Sequence, residues 1–383
     1  MSQLTVQPEN WQRVRLKDIA EKISSGGTPS RLHPEYFTTD HSGHLWVKSK
    51  ELLDVAVEDT EEKITDDALN NSSAKYYPEH TVLIAMYGAN VGQLGWLKKR
   101  ATVNQAVCGL IIDENKADWR YVFYSLLQNR DDLIVQARGV AQQNLNQDLI
   151  RNFEIPTLEL EDQRNAGSIL GTYDNLIENN TKRIKILEQI AQAIYKEWFV
   201  SPVNVDKLPR GWKFLQVEAL VKRVSLGKLY DNKSALEKGD VPILDQGRSG
   251  IIGYHNDSPG VEASIENPII VFANHTCYQR LMLFPFSAIQ NVLPFYPSEE
   301  NYRDIFWLHY ATKDLIEFND YKGHWPEFMQ KEVVVPLAEL AEKFGSEIKP
   351  LVVLSYRLEL ENQKLRQALD LLLPKLVTGE IKV

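Results

Sequence analysis

The sequence predicts an α+β fold: two mixed α/β domains in a pseudo-two-fold arrangement, separated by two long antiparallel helices forming a coiled coil. Three observations lead there. The chain is written twice, each copy opens with short apolar runs bounded by turn residues, and each closes with a heptad-patterned segment. At 383 residues, 43% hydrophobic and 25% charged, it has the size and core content of two ordinary soluble domains.

The duplication rests on four collinear anchors. Trp11 to Gly26 (WQRVRLKDIAEKISSG) is answered by Trp212 to Gly227 (WKFLQVEALVKRVSLG), and Asp132-Leu133-Ile134 by Asp314-Leu315-Ile316. Phe153-Glu154-Ile155-Pro156 is answered by Val333-Val334-Val335-Pro336, and Asn180 with Leu187 by Asn362 with Leu369. The offset drifts only from about 201 to about 180 residues, which chance does not produce. Between the anchors the copies diverge, as suits one scaffold serving two different ligands.

In each copy a buried strand is expected, at Thr81 to Met86 before Tyr87-Gly88 and at Ile269 to Phe272 before Ala273-Asn274. The long helices are expected from about Asp174 to Val200 and from about Leu351 to Val377. Their seam is formed by Ile177, Asn180, Ile184, Leu187 and Ile194 in the first, and by Leu358, Asn362, Leu365, Leu369 and Leu376 in the second. Asn180 and Asn362 either fix register as buried polar seam residues or reach solvent at a helix start. The boundaries fall at 1–165 (first domain), 166–205 (central helical spacer), 206–345 (second domain) and 346–383 (C-terminal helical spacer).

Several function classes drop out. Cys108 and Cys277 form neither a CxxC pair nor a disulfide framework and read as reduced core residues. The N-terminal stretch lacks a signal-peptide run and no segment has the length of a membrane span, so a cytoplasmic location is expected. No GxxxxGK[ST] loop occurs, and Gly88, Gly92 and Gly95 are too widely spaced for a dinucleotide fingerprint. No Asn-Pro-Pro-aromatic run exists for methylating an amine. His41 and His44 read as a turn or, less simply, half of a metal site, and no metal is expected. The acidic run Glu58 to Lys63 holds a Glu-x-Lys fragment of nuclease type within a charged surface. A net charge of −9 leaves no overall basic excess, so any contact with nucleic acid must be local.

At this point particular residues matter. Ser25-Gly26-Gly27-Thr28-Pro29-Ser30, with Pro34-Glu35-Tyr36 and Trp46-Val47-Lys48, resembles the opening of a target-recognition domain in specificity subunits of type I restriction–modification systems. Tyr87 to Gly92, Asn104-Gln105, Asn274-His275-Thr276 and Gln290-Asn291-Val292 resemble that family too, as do the helix Leu176 to Phe199 and the ending Leu376 to Ile381. The second copy departs from the pattern: after Gly227 it reads Lys228-Leu229-Tyr230. The resemblance implies a non-catalytic chain with two target-recognition domains, each reading one half of a bipartite double-stranded DNA site. Adenine methylation or restriction would belong to two modification (methyltransferase) subunits and to ATP-dependent restriction subunits. This chain would hold no cofactor; S-adenosylmethionine and ATP with Mg would sit in the partners. Helices of about 40 Å would span slightly more than one turn of B-DNA, as a ruler and partner platform. The competing readings are an autonomous DNA-modifying or DNA-cleaving enzyme and a structural coiled-coil adaptor.

Base readers must present hydrogen-bonding side chains to groove edges. The candidates are Thr28, Ser30, Arg31, Lys48, Lys50, Tyr87, Asn90, Gln93, Arg138, Gln142, Gln143 and Asn144 in the first copy. In the second they are Arg248, His275, Tyr278, Gln279, Arg280, Lys322 and His324. The run Arg138 to Asn144 is either a reading loop or an ordinary polar connection. Lys98-Lys99-Arg100 is either a phosphate-contacting cluster or a solvated turn.

Overall fold

In the computed structural model, which describes residues 12–138, 144–204, 206–247, 250–299, 303–318 and 322–383, the predicted apolar runs are strands covered on both faces. The chain divides into two compact units, Met1–Asn179 with Asn362–Val383, and Asn180–Glu361. Their helices include α1 (Trp119–Gln128), α2 (Gln147–Asn152), α3 (Leu160–Tyr195), α4 (Ile305–Thr312), α5 (Trp325–Gln330) and α6 (Ala338–Val377). The anchor Trp11 lies outside the described residues.

In the first unit all four residues of the strand Val82–Ala85 are buried, because both sheet faces are covered. Alternation sends Val82 and Ile84 into a core with Leu110 and Phe123, and Leu83 and Ala85 into another with Leu45 and Val103. The sheet order is Ala20–Ser25, Val107–Ile112, Val82–Ala85, Leu94–Leu97, Val55–Val57. A second sheet sets His44–Val47 parallel to Ala101–Val103. On the helical side Leu369, Leu373 and Leu376 of α6 enter the same core as Ala166 and Leu170 of α3. Tyr121 Oη donates to the Val377 carbonyl at 2.7 Å.

The second unit repeats this plan. Its sheet order is Val221–Arg223, Val292–Pro297, Ile269–Ala273, Gln279–Met282. Ile270 and Phe272 face a core with Trp307 and Phe344, while Val271 faces another with Leu244 and Phe286. Arg13–Arg15 pairs antiparallel with Glu154–Pro156 in the first unit, and Lys213–Gln216 with Glu332–Val335 in the second.

One repeated device was invisible in sequence. Asp118 caps α1 by accepting from the Tyr121 N–H at 3.0 Å, and it lies against Gly167 of α3, where a Cβ would stand 2.5 Å from its Oδ1. Asp304 caps α4 by accepting from the Phe306 N–H at 2.8 Å, and it lies against Gly345 of α6, where a Cβ would stand 2.1 Å from its carboxylate. Burial raises the pKa of both aspartates above the ordinary carboxylate range.

The long helices begin at Leu160 and Ala338, well ahead of the expected Asp174 and Leu351. Gly167, Gly171, Gly345 and Pro350 break the apolar pattern there without breaking the helix. At 36 and 40 residues they span about 54 and 60 Å. Beyond Tyr195 the backbone continues as a π turn, Lys196–Val200, with the Ser201 N–H donating to the Lys196 carbonyl at 2.8 Å. The helices pair antiparallel within each unit: Asn362 Nδ2 donates to the Ile177 carbonyl at 3.4 Å in the first, and Tyr195 and Trp198 lie 6.0 and 6.1 Å from Phe344 in the second. None of the ten seam residues is exposed, and Asn180 and Asn362 are each only 5% accessible, which overturns the reading that they reach solvent. Cys108 is buried, with its thiol pushed up to about 12 by desolvation, whereas Cys277 is only part-buried, in a turn at φ 58°. Among the described residues no helix is long and apolar enough to cross a membrane.

Candidate nucleic-acid interface

In the first unit the loop after Ser25 is shaped by two glycines. Gly26 and Gly27 donate to the carbonyls of Val107 and Val103 at 3.2 and 3.0 Å. A Cβ on Gly26 would lie 1.9 Å from the Val103 oxygen, and one on Gly27 would lie 2.2 Å from the Ser73 oxygen, so only glycine fits this approach. Trp46 Nε1 donates to the Gly27 carbonyl at 3.1 Å, and the Gln105 N–H reaches Thr28 Oγ1 at 3.5 Å. Beside this loop the Met86 N–H donates to the Ala106 carbonyl at 2.8 Å and the Leu145 N–H to the Met86 carbonyl at 2.9 Å. These bonds gather Thr28, Tyr87, Asn90, Gln93 and Asn144 with Asn104 and Gln105 at one end of the sheets. Tyr87 is exposed at the start of the turn Gly88–Asn90.

The second unit repeats the last two of these bonds. The Asn274 N–H donates to the Asn291 carbonyl and the His324 N–H to the Asn274 carbonyl, both at 2.9 Å. Around it the His275 N–H donates to Gln246 Oε1 at 2.9 Å, Thr276 Oγ1 to the Gln246 carbonyl at 2.5 Å, and His275 Nδ1 to the Lys322 carbonyl at 3.0 Å. Three loops therefore present His275, Thr276, Gln246, Asn291 and Lys322 together. Gln246 escaped the sequence reading; its only signal is the Asp245-Gln246-Gly247 turn closing an apolar run.

Other candidates stand elsewhere. Arg31 makes two hydrogen bonds of 2.7 Å to Glu62 and lies 3.8 Å over the Phe37 ring; Lys48 reaches Glu62 at 3.1 Å and Lys50 pairs with Glu61. The hydrogen bonds from Arg31, reinforced by Lys48 and opposed by partial burial, hold the Glu62 carboxyl down to about 2. These three cations are thus committed to the acidic run, as is Lys63, which pairs with Asp59 at 2.9 Å. Ser30 is spent in part on the turn, accepting from the Leu32 N–H at 3.3 Å. Gln279 and His324 are corrected as base readers because they are buried, and Arg280 faces another element. Gln279 is buried and donates to the His309 carbonyl at 2.8 Å, Arg280 faces Glu359 of α6 at 3.8 Å, and His324 is 0% accessible at the α5 N-terminus. Tyr278 lines a cavity with Gln279 and Arg280. The side chain of Arg138, together with Gln142, Gln143 and Arg248, lies outside the described residues.

Lys98-Lys99-Arg100 precedes Ala101–Val103 at the end of the sheet opposite Gly27 and Asn104. Lys98 is engaged by Glu58 and, at 2.7 Å, by Glu178 of α3. His44 is held between Tyr76 Oη at 2.6 Å and Asp66 at 2.8 Å. Among the described residues no group of three His, Cys, Asp or Glu side chains could hold a metal ion.

Residues 8–189 match the family model described as the type I restriction modification DNA specificity domain. The chain is 24% identical over 419 residues to the MjaIX type I restriction enzyme specificity subunit of Methanocaldococcus jannaschii, covering 98% of this chain and 94% of that protein. It is also 24% identical over 190 residues to the EcoR124I/EcoR124II specificity subunit of Escherichia coli, covering 48% and 46% of the two chains. Among solved structures, the S subunit of a type I restriction–modification system from M. genitalium superposes with a TM-score of 0.65 at 17% identity, over 97% of this chain and 98% of that one, a likeness of fold. Duplicated sheets and paired long helices accompany these matches: residues 8–189 match the type I restriction modification DNA specificity domain, and nearly the whole chain is similar to a type I restriction enzyme specificity subunit.

Proposed function

We propose that each unit reads one half of a bipartite DNA site and that the chain thereby directs adenine methylation or restriction by partner subunits, without catalysing either. The observation that carries this reading is the repeated backbone frame, Met86–Ala106–Leu145 against Asn274–Asn291–His324, holding different polar side chains in its two copies. A constant frame positions; variable hydrogen-bonding groups specify. Thr28, Tyr87, Asn90, Gln93 and Asn144 are the first unit's readers in this scheme, and His275, Lys322, Gln246 and Asn291 the second's. Methyl transfer would be the work of two modification subunits using S-adenosylmethionine, and cleavage that of restriction subunits using ATP and Mg, all in the cytoplasm.

The test is exchange of residues 1–160 for the corresponding domain of a relative in the assembled enzyme, followed by mapping of methylated adenines across a genome. One half-site should change and the other persist. Change in both halves, or in neither, would refute the assignment of one half-site to each unit.

A further inference from the structure

The second unit contains a cavity of about 190 Å³ between its four-stranded sheet and the long helices. Gln279, His309 and Tyr310 form one wall, and Leu187 of α3 with Ser355 and Tyr356 of α6 form the other. Strand register and helix caps fix the equivalent positions in the first unit. Gln279 pairs across the sheet with Phe272 as Leu94 pairs with Ile84, and His309 and Thr312 follow the cap Asp304 as Phe123 and Leu126 follow Asp118. Where the first unit packs Leu94, Phe123 and Leu126, the second buries Gln279, His309 and Thr312 at 6%, 8% and 2% accessibility.

Burying three polar side chains where an apolar trio packs in the sister copy costs stability unless every group is used. Within the trio Gln279 Nε2 donates to the His309 carbonyl at 2.8 Å and lies 3.2 Å from His309 Nδ1, while the Thr312 hydroxyl shares its one proton between the Leu308 carbonyl at 2.8 Å and Gln279 Oε1 at 3.1 Å. His309 Nδ1 is therefore the acceptor, the ring proton sits on Nε2, and that N–H is the donor left for an occupant. Desolvation lowers the His309 pKa to about 3, which keeps the ring neutral. The charged lining balances itself, Lys313 against Glu188 and Arg280 against Glu359, so the wall favours no net charge. Tyr278, Tyr310 and Tyr356 add aromatic surface. A cavity of roughly 150 Å³ accommodates benzene, so this one has room for one substituted ring or a small fused pair.

We propose that this cavity binds a small, uncharged heteroaromatic molecule of nucleobase size, its ring against the tyrosines and an acceptor atom on His309 Nε2–H. The site shares a hairpin with the recognition loop: the Ala273 N–H donates to the Tyr278 carbonyl at 2.8 Å, and between them lie His275 and Thr276.

The experiment titrates the full-length chain with adenine, and with indole as a ring of similar shape lacking the acceptor, by ligand-observed NMR and calorimetry. Saturable binding of adenine, at least about tenfold tighter than indole, is expected. The Gln279→Leu/His309→Phe/Thr312→Leu variant, which restores the first unit's trio, should lose that preference. Ser355→Trp, which fills the cavity from α6 and leaves the trio intact, should abolish binding of both probes even if the triple variant fails to fold. Equal binding of adenine and indole, adenine binding unaltered by Ser355→Trp, or no saturable binding of adenine overturns the proposal. Preferential binding of an oligo-dA strand over free adenine also overturns it, by assigning the site to a base within a strand.

Discussion

Glu62 ties the first recognition loop to the acidic run, and its titration gives that tie a pH signature. Its carboxyl is held at about 2 against an ordinary 4.5. A carboxylate depressed on folding contributes stability that is complete above the unfolded value and lost as pH falls toward the folded one. The first unit should therefore lose stability between pH 4.5 and about 2, and Glu62→Gln should flatten that part of the profile while lowering stability at neutral pH. Denaturant unfolding across this range checks it; superimposable acid limbs for the two proteins would rule the contribution out. Sequence alone identified Arg31, Lys48 and Lys50 as loop cations but not their partners. Residues 31 and 62 meet only because Phe37–Thr38 pairs with Lys63–Ile64, a long-range register that no local pattern encodes. Gln279 and His324 were misplaced for the same reason: a polar residue beside a strand or helix end reads alike whether it faces solvent or the interior.

At the level of elements, the strands were legible because their apolar runs are short, continuous and bounded by turn residues. The seams of the long helices were legible because heptads repeat, but their first turns were not. Gly167 and Gly345 look like helix breakers in sequence and serve instead as clearances for the capping aspartates of neighbouring helices. Gly345→Ala should push Asp304 off the α4 N-terminus and cost about 1–3 kcal/mol. Because the two changes remove the same cap, Gly345→Ala/Asp304→Ala should be little worse than Asp304→Ala alone. Additive losses in a denaturant double-mutant cycle would show that the glycine matters for some other reason. The repetition of this device at Asp118 and Gly167 makes the same cycle applicable to the first unit.

For the whole molecule, the decisive feature is that the first unit is assembled from two distant stretches of chain. Leu369, Leu373, Leu376 and Val377 lie in a core with Leu16, Phe123 and Phe153. Truncation after Glu361 should therefore unfold or loosen the first recognition domain, the one farther away in sequence, and spare the second. Hydrogen exchange would locate the damage: rapid exchange confined to residues 213–335 would contradict the shared core. Sequence could mark 346–383 as helical but could not say which domain it completes, since the heptad pattern is silent on what its flanks touch.

The same assembly brings distant parts of the chain to one place. The Thr157 N–H donates to the Gln12 carbonyl at 3.0 Å, Gly379 abuts Leu158, and Asn165 Nδ2 donates to the Val383 carbonyl at 3.2 Å. The backbone around residue 12 and that around residue 383 thus converge on the short stretch 157–165. One connecting stretch thus ties together two segments of the first unit that lie far apart in sequence, so loosening it would release both at once.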